Sequence, residues 1–225
     1  MNIVERYSYK SLERVTFPNG ARHYICPETG SKLPSVTTIL DKTAGDKKEL
    51  IAWKNRVGES EAERIKNEAL GLGTLMHTHL EKHILGEQRP GGNNLVRVMA
   101  ERMADQIINR GLVKVEEVWG SEVALYYPSM FAGTCDLAGL YNGKPAIMDF
   151  KTAKKMRNRK MIDDYFHQLC AYGIAHNELF DTKIRTGVIF MVTRTYDFET
   201  FVVEGDEFSE YESKFLDRLE QFLNI

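Results

Sequence analysis

The chain has 225 residues, of which 43% are hydrophobic and 28% are charged, and its formal net charge is −2. A chain of this length and composition can bury one sizeable core, which excludes a disordered protein and predicts one domain with an appendage. The near-neutral balance excludes attraction of nucleic acid by overall charge, so any affinity for phosphate must come from a local basic patch.

The cysteines and the apolar runs restrict the class of protein further. Cys26, Cys135 and Cys170 are scattered and have no CxxC spacing. This pattern predicts neither a zinc site nor an iron–sulfur cluster. No apolar run is long enough to cross a bilayer, and the N-terminus lacks the basic start and apolar core of a signal peptide. We therefore expect a protein that is not secreted, has no membrane partner and works in a reducing cytoplasm, in a bacterial cell or a phage-infected host.

The first 70 residues predict a small appendage. Turn signals at residues 17–20 and 27–30 separate short strand-like runs between Glu13 and Pro34, which indicates a hairpin. Ser35 is the expected N-cap of a short helix that follows. The next helix carries Trp53, which either stacks on a nucleic-acid base or, as its apolar spacing favours, belongs to the core.

A charged helix is predicted over residues 59–70, and the glycine-containing run at 71–74 interrupts it. The helix that follows, over residues 75–85, carries three histidines: His77, His79 and His83. The second and third of these face the same way, as a zinc-binding pair does, but no third ligand stands at a recognisable spacing. The sequence therefore predicts no zinc. His77 lies on the face expected to pack on a sheet, so a functional role for it depends on what else converges there.

After a helix over residues 95–110 and a strand over 113–126 that carries Glu122, the sequence gives its strongest local signal. An Asn-Gly pair at 142–143 separates two strand-like runs and predicts a tight hairpin. Asp149 and Lys151 lie two residues apart on the second strand, so their side chains share a face.

Asp136 on the first strand of the hairpin comes near that face, in a register that the pattern leaves open. Two carboxylates placed together repel each other unless a cation or a proton joins them, and Mg²⁺ is held by such oxygen ligands. The alternative for Asp149 and Lys151 is an ordinary surface ion pair.

A basic loop at residues 154–160 follows directly, and it is either a phosphate-binding surface or a solvated loop. The residues expected to contact nucleic acid are Thr152, Lys154, Lys155, Arg157, Arg159 and Lys160. A helix is then predicted from Asp163 or Asp164, followed by strands at 184–192 and 198–203 and a last helix at 206–223. This order of elements predicts an α/β or α+β protein with helices packed on a sheet.

Six elements, spread over about half of the chain, resemble the PD-(D/E)XK nuclease superfamily in its RecB-like branch. They are Gly73-Thr74 with His77, Glu122, Gly133-Thr134-Cys135-Asp136-Leu137, Asp149-Phe150-Lys151-Thr152, Gln168 and Tyr172. Upstream, residues 33–40 with Trp53 and Arg56 are similar to the mitochondrial genome maintenance exonucleases and their phage-encoded relatives.

The resemblance implies a restriction-endonuclease-like core of the α/β (α+β) class, with a central mixed sheet flanked by helices. It implies a single nuclease domain made of an N-terminal hairpin and helical appendage at 1–70, a catalytic core at 71–205 and a C-terminal helix at 206–225. The four-cysteine iron–sulfur framework of some RecB-like nucleases is absent from the sequence.

The resemblance also implies roles for individual residues. The ligands of one or two Mg²⁺ or Mn²⁺ ions would be Asp136, Asp149, the Phe150 carbonyl, His77 and Glu122. Lys151 would orient the attacking water and stabilise charge on the scissile phosphate. Gln168 would buttress Lys151 or the phosphate, and Tyr172 would support Gln168 from one helical turn away. The alternative for Gln168 and Tyr172 is a plain packing role in their helix.

The function that this resemblance implies is metal-dependent hydrolysis of DNA phosphodiesters by an exonuclease that favours single strands or free ends. Such an enzyme serves DNA replication, recombination or repair, with replication or recombination proteins as further partners. Two alternatives stay open: a structure-specific or sequence-specific endonuclease on the same fold, and a nuclease-like module that binds DNA ends without cutting them.

Overall fold

The computed structural model describes residues 1–46 and 48–224, without the side chain of residue 49. The helices are α1 (Val36–Lys42), α2 (Lys48–Val57), α3 (Glu59–Ile84), α4 (Leu95–Arg110), α5 (Asp163–Phe180) and α6 (Asp206–Leu223). The strands are β1 (Asn2–Ile3), β2 (Arg14–Thr16), β3 (Arg22–Ile25), β4 (Lys32–Pro34), β5 (Val115–Tyr127), β6 (Phe131–Tyr141), β7 (Lys144–Ala153), β8 (Thr186–Thr193) and β9 (Phe198–Glu204).

Among the described residues, six strands form the main sheet in the order β1-β5-β6-β7-β8-β9. β5, β6 and β7 are antiparallel neighbours, β8 is parallel to β7, and β9 is antiparallel to β8. The parallel step from β7 to β8 needs a crossover, which α5 supplies. The sheet is therefore mixed, and β5, β6 and β7 stand side by side near its middle.

Helices cover both faces of this sheet because its buried strands present apolar side chains alternately to each side. On one face, α5 and α6 pack through residues such as Phe166 and Phe215. On the other face, α3 and α4 pack through residues such as Met76 and Met103. The predicted fold class, a central mixed sheet flanked by helices, is confirmed.

The appendage contains a second, three-stranded antiparallel sheet in the order β2-β3-β4. The predicted hairpin is thus present with one additional strand. Tyr24 and Leu33 from this small sheet pack with Tyr126 and Ala132 of the main sheet. The predicted N-cap at Ser35 is also observed, since its side chain accepts a hydrogen bond from the Thr38 amide. The small sheet is therefore packed firmly against the end of the main sheet.

One sequence-based expectation is wrong: the run at residues 71–74 does not interrupt the helix. α3 continues from Glu59 to Ile84 through both glycines. A glycine inside a helix costs about 1 kcal/mol relative to alanine, and the packing of Leu72, Met76 and Leu80 against the sheet offsets this cost. Gly73 lies where the helix passes β7, and a Cβ added at Gly73 would lie 3.7 Å from the Thr152 hydroxyl oxygen.

The proposed segment boundary at residue 70 therefore falls inside α3. Residue 47 of the proposed appendage and residue 225 of the proposed C-terminal segment lie outside the described residues. None of the helices in the described part of the chain is long and apolar enough to cross a membrane.

Candidate metal centre in a cleft

A cleft of about 970 Å³ opens where β5, β6 and β7 meet α3, α5 and the β2–β3 hairpin. Its floor contains residues from all three central strands, among them Glu122, Asp136 and Asp149. His77 reaches it from α3, and Gln168 reaches it from α5. The elements that form the cleft are far apart in sequence, so only the folded chain creates it.

The floor of the cleft lies where β6 and β7 separate. A two-residue turn joins these strands, with φ of 47° at Asn142 and 73° at Gly143, as the Asn-Gly signal predicts. The ladder runs from this turn as far as the pair Leu137 and Met148. Asp136 and Asp149 occupy the next opposed positions. There the Asp136 Oδ2 atom accepts a hydrogen bond of 2.7 Å from the Phe150 amide, which takes the place of a ladder bond.

Glu122 extends this row of carboxylates to a third strand. It falls between the pairs Ser121–Leu137 and Val123–Cys135, and therefore opposite Asp136. Its φ of 51° is in the left-handed region, which is rare for a residue other than glycine and is found at strained, functional positions. Like charges placed opposite one another destabilise a sheet, so this row of three carboxylates needs compensating positive charge.

His77 supplies part of that charge. Its Nε2 atom donates a hydrogen bond of 2.9 Å to the Phe150 carbonyl. This contact directs Nδ1 toward the carboxylates, at 3.6 Å from both Glu122 Oε1 and Asp136 Oδ2. Burial alone would lower the pKa of His77, but the charges of Asp136, Glu122 and Asp149 raise it to about 9. The imidazolium therefore neutralises part of the acidic group.

The pKa of Asp136 shows how crowded the negative charge is. Burial and the charge of Asp149 together raise the pKa of Asp136 to about 7. A divalent cation would relieve this repulsion, whereas a proton relieves it only for one carboxylate at a time.

Lys151 lies beside Asp149, as expected from their spacing on β7, and the two side chains form an ion pair. This pair is not on the surface: the Asp149 and Lys151 side chains are only 3% and 19% exposed. Burial alone would lower the pKa of Lys151, but the charges of Asp149 and Asp136 raise it, so the ammonium group stays protonated.

Two residues of α5 continue from Lys151 in a chain of hydrogen bonds. The Lys151 ammonium donates to Gln168 Oε1 at 3.3 Å, and Gln168 Nε2 donates to the Tyr172 hydroxyl at 3.2 Å. Tyr172 packs against Gly133, where an added Cβ would lie 2.6 Å from its ring. Gln168 and Tyr172 therefore contact each other and the lysine, in addition to packing in the helix.

The donor set at this point suits a hard divalent cation. One ligand atom each from His77, Glu122 and Asp136 lies within 4.8 Å of the others. Carboxylate oxygens are the ligands that Mg²⁺ and Mn²⁺ prefer, and an imidazole nitrogen is accepted by Mn²⁺. Asp149 and the Phe150 carbonyl lie at the same point of the cleft. The residues present therefore fit a metal ion.

The predicted nucleic-acid contacts lie in several places. Thr152 lines the cleft beside Lys151. Lys154, Lys155 and Lys160 are exposed outside the set of cleft-lining residues. Arg157 donates to the Tyr165 hydroxyl at 3.4 Å.

Arg159 is engaged away from the cleft. It forms an ion pair of 2.6 Å with Glu207 and donates to the Val202 carbonyl at 3.0 Å. These contacts give Arg159 a structural role at the packing of α6 on the sheet.

The sequence-based interpretation missed several residues that line the cleft. Arg14, Arg22 and Tyr24 reach it from the β2–β3 hairpin, and Lys66 reaches it from α3. The only sequence signal for the first three is their alternation along two short strands, which places them on one face of the hairpin. Nothing in the sequence shows that this face is turned toward residues more than a hundred positions later.

A smaller cavity of about 360 Å³ adjoins the cleft and shares Tyr24, Glu122 and Thr134 with it. The Tyr24 and Thr134 hydroxyls are hydrogen bonded at 3.2 Å between the hairpin and β6. Tyr9 of the N-terminal segment lines the smaller cavity, so Glu122 borders two connected spaces.

The comparisons with known proteins give a likeness in fold. No protein-family model matches the chain. No curated protein matches it at a significant level. One similar solved structure is a protein from Eubacterium rectale that is named as a candidate exonuclease. It is 15% identical over 70% of this chain and 68% of that chain, with a TM-score of 0.51. At this identity the likeness shows a shared fold alone.

A second structure, from Vibrio cholerae, is 14% identical over 94% of this chain and 69% of that chain. Its TM-score of 0.24 is too low to indicate a shared fold.

Proposed function

We propose that this chain is a metal-dependent deoxyribonuclease of the PD-(D/E)XK type. The observation that carries the proposal is the row Glu122, Asp136 and Asp149 across three neighbouring strands, with Lys151 in the same cleft. This combination supports the proposal because it would offer a divalent cation and a protonated amine to a phosphodiester in the cleft. The fold shared with a protein named as a candidate exonuclease supports the same assignment.

The proposed roles follow from the contacts of each residue. His77, Glu122, Asp136, Asp149 and the Phe150 carbonyl would hold one or two Mg²⁺ or Mn²⁺ ions. A bound divalent ion would supply Lewis acidity, lowering the pKa of an attacking water and neutralising phosphoryl oxygens. The Lys151 ammonium would donate to that water and to the scissile phosphate, and Gln168 with Tyr172 would hold the ammonium in place.

The substrate we propose is single-stranded DNA with a free end, in replication, recombination or repair. A positively charged cleft that also presents aromatic side chains suits a single strand, and Arg14, Arg22 and Tyr24 line this one. A phage or bacterial origin and action on ends belong to the same proposal. We also propose that residues 1–70 form the appendage, 71–205 the catalytic core and 206–225 the C-terminal segment.

The test is digestion of labelled DNA by the purified protein with Mg²⁺ or Mn²⁺. We expect an end-labelled linear single strand to be shortened, a circular single strand to stay whole, and chelation of the metal to stop the reaction. Cutting of the circle would instead assign an endonuclease. Binding of the linear strand without any shortening, in both metals, would refute nuclease activity and favour a module that binds DNA ends.

A further inference from the structure

Two arginines of the β2–β3 hairpin differ from many other arginines of the chain in their partners. Several other arginines form ion pairs with carboxylates, as Arg89 does with Asp105 and Arg159 with Glu207. Arg14 and Arg22 have no carboxylate partner among the described residues, although both line a cleft whose floor is acidic. Their positive charge is therefore available to an anionic ligand in the cleft.

The register of the hairpin places both arginines on the same face. Arg14 is paired with Tyr24 and Arg22 with Thr16, and alternate residues of a strand point the same way. The Arg22 guanidinium donates to the Thr37 hydroxyl at 3.1 Å, a neutral group that orients the side chain without cancelling its charge. Both guanidiniums thus belong to one wall, which we call the hairpin wall and define by Arg14, Arg22 and Tyr24.

The hairpin wall is fixed to the core at the edge of the metal centre. The Tyr24 hydroxyl contacts Thr134, which lies two residues before Asp136 on β6, or about 7 Å along the strand. The Arg22 amide donates to the Thr38 hydroxyl at 3.0 Å, and residue 35 bridges to Ala132. These contacts hold the backbone of the wall, so the fold sets the positions from which its guanidiniums extend toward the carboxylates.

We propose that Arg14 and Arg22 bind phosphates next to the scissile one and hold the single strand against the metal centre. Guanidinium groups suit this task because their donors match phosphate oxygens in a planar fork. The inference rests on the proposed nuclease function, since that function identifies the strand. It assigns phosphate binding to the appendage and gives that segment a direct contact with substrate.

The experiment measures binding of a fluorescent single-stranded oligonucleotide over a range of salt concentrations, with Ca²⁺ in place of Mg²⁺ to suppress cleavage. The variants are Arg14→Gln, Arg22→Gln and the double variant. The matched control is Arg102→Gln, because Arg102 is exposed on α4 and does not line the cleft. Arg14→Lys with Arg22→Lys retains the charges and removes only the forked geometry.

Each phosphate contact on a single strand contributes about 0.7 to the slope of log affinity against log salt. We expect the double Gln variant to lose about 1.4 of this slope and to bind roughly tenfold more weakly at about 0.1 M salt. Digestion in Mg²⁺ should show the loss in KM more than in kcat. The Lys variant should keep the slope, and Arg102→Gln should match the wild type.

An unchanged slope and affinity in the double Gln variant would overturn the inference, as would a wild-type protein that binds no single strand. The two proposals fail separately. If the wild type binds but never shortens DNA, nuclease activity is refuted and the salt slope still decides the role of the arginines. If digestion occurs and the double variant behaves as the wild type, only phosphate binding by the hairpin wall is refuted.

Discussion

His77 lies half-buried in the cleft and His176 is fully buried, and their surroundings drive them to opposite charge states. His77 faces the carboxylates of the cleft, and its pKa is raised to about 9. His176 lies among the rings of Tyr7, Trp119 and Phe180, and burial lowers its pKa to about 4. At neutral pH the first is an imidazolium, whose Nδ1 proton a bound metal ion would displace, whereas the second is neutral.

Burial keeps His176 neutral, and its hydrogen bonds define which nitrogen of the neutral ring carries the proton. The Thr182 hydroxyl donates to Asn177, so it can only accept from His176 Nδ1, at 2.8 Å. His176 Nε2 must then accept from the Tyr9 hydroxyl, at 2.9 Å. A proton added to Nε2 would force the Tyr9 hydroxyl to turn and accept a hydrogen bond instead of donating one. The charge state of a buried or half-buried histidine in this chain therefore follows from the charges around it and from its burial.

The largest expected effect on activity comes from substitution of the charged residues beside His77 in the cleft. Asp149→Asn or Lys151→Gln should lower the rate of DNA digestion by about 10³-fold or more, because each removes a charge placed at the proposed reaction centre. Rates are measured on an end-labelled single strand, and circular dichroism verifies that each variant is folded. Digestion at the wild-type rate by both folded variants would remove Asp149 and Lys151 from the mechanism.

Exchange of each histidine tests the comparison itself. His77→Gln should lower metal-dependent digestion by about 10- to 100-fold, since loss of a group that binds or orients at a metal site has effects of this size. With Mn²⁺ bound, its melting temperature should change little, because the ion then neutralises the carboxylates in place of the imidazolium. His176→Gln should do the reverse: it should keep the rate below its melting temperature and lose stability, because Tyr9 and Thr182 lose a buried partner. Equal effects of both substitutions on digestion would contradict the different roles expected for His77 and His176.

The pH dependence of stability provides the next test. The ordinary pKa of histidine is 6.5 and that of His176 in the fold is about 4. Between these values the unfolded chain binds a proton that the folded chain does not, so stability is present above pH 6.5 and falls as the pH falls toward 4. The loss is about 1.4 kcal/mol for each pH unit in this window.

Chemical denaturation at several pH values measures this loss, and the His176→Gln variant supplies the reference for all other groups. The wild type should lose more stability than the variant between pH 6 and 4. Parallel curves for the two proteins would show that His176 is not held neutral by the fold.

The smallest expected effect concerns Tyr9. Tyr9→Phe removes the donor to His176 Nε2 and should cost about 1 kcal/mol of stability at pH 7. At pH 5 the cost should be smaller, because a donor to neutral His176 lowers the pKa of that imidazole, and its removal reduces the stability that the protein loses at low pH. A cost that is the same at both pH values would show that the hydrogen bond from Tyr9 does not affect the charge state of His176.

The local features of the candidate site could be predicted from the sequence. The period of a strand places Asp149 and Lys151 on one face, and the Asn-Gly turn predicts the hairpin. A two-residue turn also sets the register, because pairing of Tyr141 with Lys144 brings Asp136 opposite Asp149. That register was open to prediction from turn geometry, although the sequence-based interpretation left it undetermined.

The remaining features depend on tertiary packing. The continuity of α3 through its glycines results from burial against the sheet, which local propensity does not reveal. Arg14 and Arg22 become cleft residues only when the small sheet docks on Ala132 and Thr134. The contacts of the basic loop also depend on packing, because a run of charges along the sequence does not show that Arg159 pairs with Glu207.

Direct titration of Mn²⁺ into the protein by calorimetry at pH 8 tests the central claim, that the carboxylates and His77 form a metal centre. We expect at least one bound ion per chain in the wild type and in His176→Gln, and loss of that binding in Asp136→Asn. Absence of binding in the wild type, or binding by Asp136→Asn as tight as that of the wild type, would contradict it.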